Sequence, residues 1–166
     1  MDLVMTKQEA VAEQIDQAIR LCEKELYASS VTLAGAAEGA MPKPGDDTLF
    51  VFLQRLGVEV LQIDATRVAN EHLNAARNWL KHPKPNTPMG ITAADAFVMI
   101  LRAYTKFVQV YGEGAATDTM RSFMDEFRGA LTKILAPLLL LGIVAAGHIT
   151  REGGPLGERG VEGPLL

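Results

Sequence analysis

The stretch TAADAFVMILRAYTKFVQVY, residues 92–111, decides the fold. Thr92 followed three residues later by Asp95 is a capping box, which opens a helix. Phe97, Ile100, Leu101, Tyr104, Phe107, Val108 and Tyr111 then recur at helical spacing and make one apolar stripe. A helix with such a stripe has to bury it against other elements. Downstream, Gly112 to Ala116 read as a turn, and Thr117 caps a last helix in which Met120, Phe123, Met124, Phe127, Leu131 and Leu135 face inward.

Upstream, the same logic finds four more helices. Thr6 with Glu9 caps a helix from about Lys7 to Tyr27, carried by Val11, Ile15, Ala18, Ile19 and Cys22. Ser29 or Ser30 opens a second through Val31, Leu33, Ala34, Ala37 and Met41, whose small residues allow close helix packing, and Pro42, Pro44 and Gly45 end it. Asp46 or Asp47 caps a short apolar helix through Phe50, Phe52, Leu53 and Leu56 that stops at Gly57. Asp64 opens a helix through Val68, Ala69, Leu73, Ala76 and Leu80, closed by His82 and the proline-rich loop from Pro83 to Met89. No strand pattern competes, so the expected class is all-α, an antiparallel bundle of five to six helices.

The bulk properties agree with one domain. The chain has 166 residues, 48% hydrophobic and 22% charged, enough to bury a core. A net charge of −4 and a pI of about 5.4 argue against a surface that neutralises phosphates throughout, so no DNA partner is expected. The single cysteine, Cys22, excludes an internal disulfide framework and reads as a buried structural thiol of a reducing compartment. No secretory signal is read at the start, and the expected location is the cytoplasm.

From Ile134 to Ala146 the chain is apolar apart from Gly142, a run shorter than the roughly 20 residues a membrane span needs. It is expected to serve as a homodimer contact rather than a membrane anchor. The helical domain should therefore occupy residues 1–146, with a disordered Gly/Pro-rich tail over 147–166.

The legible chemistry lies at one helix end. Glu71, Asn74, Asn78 and His82 follow an i, i+3, i+7, i+11 series along one face, with Arg77 on its flank. Arg, Asn and His are a poor choice for a merely soluble face, where Glu and Lys would serve and where Asn and His favour the helix less. His72 and His148 find no partners at ligand spacing, so neither a metal nor another cofactor is expected. Glu38, alone on a small-residue helix, either points to solvent or needs a partner.

The order Arg77, Asn78, three residues, His82 resembles the R-x4-6-H motif of the HEPN (higher eukaryotes and prokaryotes nucleotide-binding) superfamily, and the phrase from Leu73 to His82 resembles that of uncharacterised bacterial proteins. The resemblance implies a small helical bundle, commonly dimeric, acting as a metal-independent ribonuclease with Arg77, Asn78 and His82 as its catalytic residues. In such a site a histidine near its ordinary pKa of about 6.5 takes the proton from a 2′-hydroxyl, and a guanidinium stabilises the charge on the phosphorane. Toxins of the superfamily that are silenced by adenylylation carry Tyr two residues past the histidine; here that residue is Lys84.

Two readings follow. One is a HEPN-like protein that binds RNA or nucleotide and cleaves RNA. The other is a non-catalytic, dimeric helical interaction protein whose polar helix end is structural. The first requires Arg77 and His82 in a shared cleft; the second leaves them apart or individually paired.

Overall fold

The computed structural model describes residues 4–45, 48–82 and 87–149. It is all-α, with no strand among the described residues. The chain forms two compact units, Met1–Met124 and Asp125–Leu166. The first holds α1 (Lys7–Glu23), α2 (Tyr27–Ala40), α3 (Leu49–Leu61), the single turn α4 (Ala65–Arg67), a π-helical segment (Val68–Leu73), α5 (Ala75–Lys81) and α6 (Ala93–Tyr111). A 3-10 turn at Glu113–Ala115 leads into α7 (Asp118–Ile149), whose first turns belong to the first unit and whose remainder falls in the second.

The two capping boxes form as the sequence requires. The Glu9 amide donates to Thr6 Oγ1 at 3.2 Å while the Thr6 amide donates to the Glu9 carboxylate at 2.8 Å. Thr92 and Asp95 repeat the arrangement at the start of α6. Thr117 Oγ1 accepts from the Met120 amide and donates to Asp16 on α1 at 2.6 Å.

Helices α1, α2 and α6 pack on one another and make the centre of the first unit. Val11, Ile15, Ala18 and Ile19 of α1, Val31, Ala34 and Ala37 of α2, and Ala96, Met99, Ile100, Ala103 and Phe107 of α6 are buried there. Phe123 of α7 stacks on Phe97 of α6 with ring centroids 5.2 Å apart. Cys22 is half-buried beside Val31 and Ala76 rather than fully enclosed, and burial pushes its thiol pKa up, which keeps it protonated and inert.

Four boundaries depart from the sequence reading. Helix α1 ends at Glu23, ahead of the expected Tyr27, because Glu25 takes a left-handed φ of 61° and turns the chain. Helix α2 starts at Tyr27 without a side-chain cap, so the expected Ser30 cap is instead a buried hydroxyl donating to the Ala18 carbonyl of α1 at 2.8 Å. Helix α3 is capped by Thr48, whose Oγ1 accepts from the Val51 amide, and it runs past Gly57 to a left-handed Gln62; the expected caps Asp46 and Asp47 lie outside the described residues. Gly57 is an interior contact rather than a stop, because a Cβ there would lie 2.5 Å from Val68 Cγ1.

The fourth departure shapes the site. The single helix expected from Asp64 to His82 is broken: the Asn74 amide bonds back to the Ala69 carbonyl, five residues away, and Asn74 itself leaves helical geometry at φ −117°, ψ 7°. At the other end, the helical backbone of α7 continues through Ile149. Residues 150–166 and the side chains of Ile134–Ala146 lie outside what is described. Among the described residues no helix is long and apolar enough to cross a membrane.

Candidate functional site

The small residues of α2 set the geometry of the polar centre. Gly35 and Gly39, one turn apart, leave a trough along which the Arg77 side chain of α5 lies. A Cβ at Gly35 would sit 3.0 Å from Arg77 Nε, and one at Gly39 would sit 3.1 Å from Arg77 Nη2. The trough leads Arg77 Nη1 to the Glu38 carboxylate at 3.3 Å.

Of the two readings of Glu38, solvent-facing or in need of a partner, the second holds: the residue is buried, 9% exposed. Its principal partner is Arg102 of α6, 3% exposed, which forks onto it with Nε at 2.9 Å and Nη2 at 2.8 Å. The remaining guanidinium nitrogen, Nη1, donates to the Leu73 carbonyl at 2.9 Å and to Asn74 Oδ1 at 3.1 Å. The Phe50 ring of α3 covers the guanidinium, 4.6 Å from its carbon. One arginine therefore ties α6 to α2, to the broken helix and to α3.

Lys106, one turn along α6, donates its ammonium to the carbonyls of Glu38 at 2.7 Å and Met41 at 3.0 Å. It satisfies acceptors at the C-terminal end of α2, where a cation also suits the helix dipole. Burial lowers the pKa of both cations; Glu38 opposes the shift, and neighbouring cations reinforce it. Two guanidinium groups thus converge on one carboxylate, with Lys106 close by on the backbone carbonyls of the same helix end, and the Leu73 carbonyl and Asn74 oxygens completing the shell. Arg77 Nε is left buried without an acceptor.

The residues read as catalytic do not gather in one place. Arg77 borders a cavity of about 170 Å³ with His72, Leu73, Ala76, Asp95 and Met99 among its lining. Asn78 and His82 border a different cavity of about 450 Å³, with Asn70, Glu71, Trp79 and Met89. The series Glu71, Asn74, Asn78, His82 assumed an unbroken helix; Asn74 leaves helical geometry and turns to Arg102, while Glu71, Asn78 and His82 still line one cavity. Glu71 pairs with Arg67 at 3.1 Å on the surface, and this bond lowers its carboxyl pKa. Trp79 Nε1 donates to the Thr87 carbonyl at 2.9 Å, and His82 is exposed. Lys84 lies outside the described residues.

Arg102 and Lys106 were not singled out by sequence because attention falls on the apolar stripe of α6. The available signal was Glu38 itself: a carboxylate among glycines and alanines requires a cation, and Arg102 with Lys106 is a cation pair at helical spacing within the most buried helix. Among the described residues no group of three or more His, Cys, Asp or Glu side chains is placed to hold a metal ion. No family model, curated protein or solved structure matches this chain.

Proposed function

We propose that this chain is a non-catalytic helical interaction protein that acts as a dimer, with Arg77 serving structure rather than chemistry. The observation that carries this reading is the placement of Arg77. It is seated in the Gly35 and Gly39 trough, paired to Glu38, and lines a cavity that His82 does not. A transition-state cation needs a free face towards the phosphoryl group, beside the base that takes the proton.

A second reading, the HEPN-like RNA- or nucleotide-binding protein and metal-independent endoribonuclease, is supported by the cleft in which Asn78 and His82 do meet, with Trp79 offering an aromatic surface. Incubating the protein with single-stranded RNA in the presence of a chelator, beside Arg77→Ala and His82→Ala, separates the two. The interaction reading expects intact RNA throughout, a lowered Tm for Arg77→Ala and an unchanged one for His82→Ala. Cleavage to 2′,3′-cyclic phosphate ends that falls by roughly 10²- to 10⁴-fold in His82→Ala would establish the nuclease instead.

A further inference from the structure

Helix α3 has an apolar side too many. Its sequence LFVFLQRLGVEVL is apolar around most of its circumference, yet none of its residues is buried. One side is used: Phe50 lies against Arg102, Gly57 approaches Val68, and Gln54 Nε2 donates to the Ala65 carbonyl at 2.8 Å. The other side presents Phe52, Leu56 and Val60 at successive helical turns, 62%, 44% and 68% exposed. A helix that is hydrophobic all round belongs in an interior, not on a surface.

The charges on that open side indicate what covers it. Arg55 and Glu59 are exposed on the same face, and among the described residues neither side chain makes an ion pair. Arg preceding Glu by four residues is also the weaker order for a pair within one helix. Across a two-fold axis near Leu56, with two copies of α3 antiparallel, Phe52 of one copy faces Val60 of the other. The Leu56 side chains then meet on the axis. Arg55 is then offset from Glu59 of the second copy by two residues, about 3 Å along the helix, within reach of a guanidinium. By symmetry the contact forms twice, so the face is complementary to itself in both apolar pattern and charge.

We propose that the Phe52, Leu56 and Val60 face of α3, bracketed by Arg55 and Glu59, is the homodimer interface, the occupant being α3 of a second copy. The inference rests on the interaction reading and supplies its partner and surface. It places the contact on α3 rather than on the apolar run of residues 134–146 expected from sequence.

The test is sedimentation of the full chain from about 1 to about 100 µM, the weaker end of the range that interfaces of ordinary size span, with wild type, Arg55→Glu, Glu59→Arg and the double exchange. Each single reversal sets like charges opposite one another twice and should raise the dimer Kd by roughly 10- to 100-fold. The double exchange restores the pairing and should return the Kd to the wild-type value. Leu56→Glu, exposed and therefore harmless to the protomer's helix content, should give a monomer. A monomeric wild type, a dimer indifferent to these changes, or a double exchange no better than the singles would each overturn the proposal. A dimer held elsewhere leaves the non-catalytic reading standing, whereas RNA cleavage by the same preparations removes that reading without touching the dimer.

Discussion

Residues 65–81 and residues 93–111 carry the same kind of pattern, yet only the second becomes one uninterrupted helix. In α6 the two basic residues that matter, Arg102 and Lys106, lie beside the apolar stripe, where their long side chains reach acceptors on α2 without disturbing the backbone. In the other stretch it is the backbone that must provide. Arg102 has one more nitrogen to satisfy than Glu38 can accept, and it takes the Leu73 carbonyl and the Asn74 side chain. The π-helical turn and the break at Asn74 place those acceptors there. A buried cation can thus be satisfied by irregular backbone in a neighbouring element, at a cost that local sequence does not record.

The sharpest way to break this account is to remove the cation. Arg102→Ala leaves Glu38 with only the longer bond to Arg77 and frees the Leu73 carbonyl, and should cost about 3–5 kcal/mol, as expected when one partner of a buried pair is deleted. Chemical denaturation measures it, and a loss under about 1 kcal/mol would mean the cluster is solvated in solution. Glu38→Gln should cost a comparable amount, because it strands Arg102. Joining Glu38→Gln to Arg102→Met should cost less than the two single changes added together, since neither charge is then left alone.

Arg77→Ala is the intermediate case. Its single 3.3 Å bond and mostly covered position predict a loss of about 1–2 kcal/mol. The trough gives a finer test. Gly35→Ala pushes a methyl to 3.0 Å from Arg77 Nε and should destabilise the wild type. In the Arg77→Ala background the same change removes a helical glycine with no other neighbour nearer than 3.4 Å, and should stabilise by up to about 1 kcal/mol. Equal effects in both backgrounds would show that Arg77 does not occupy the trough.

How far the sequence foretold this follows from whether each feature is local. The helix at 93–111 was legible because its cap and stripe lie within its own residues. The extension of α3 beyond Gly57 was not, since glycine there reads as a stop unless Val68 is known to press on it. The break at Asn74 was illegible for the same reason: Val68, Ala69, Leu73, Ala76 and Leu80 suit an unbroken helix, and the residue that draws on the break, Arg102, is 28 positions away from Asn74. At the candidate site, Asn78 and His82 border one cavity, whereas Arg77, one position from Asn78, turns to a partner 39 residues distant, which no local pattern records.

The smallest expected effect concerns acid. The Arg67 guanidinium holds the Glu71 carboxyl below its ordinary value of 4.5, chiefly by hydrogen bonding. A carboxylate whose folded pKa is depressed stabilises the fold fully above its unfolded pKa, and that contribution disappears as pH falls through the lower folded value. The pair is exposed, so the global transition should scarcely move. Its loss should instead be local, because Arg67 and Glu71 span the junction of α4 with the π-helical segment. Amide hydrogen exchange, corrected for intrinsic rates, should show the amides of residues 69–74 losing protection as pH drops below 4.5 while those of Ile100 to Phe107 keep theirs. Glu71→Gln should reproduce that loss at neutral pH and make it independent of acid. If the two stretches lost protection together, the broken helix would not be a separately yielding element, and its contrast with α6 would be one of shape alone.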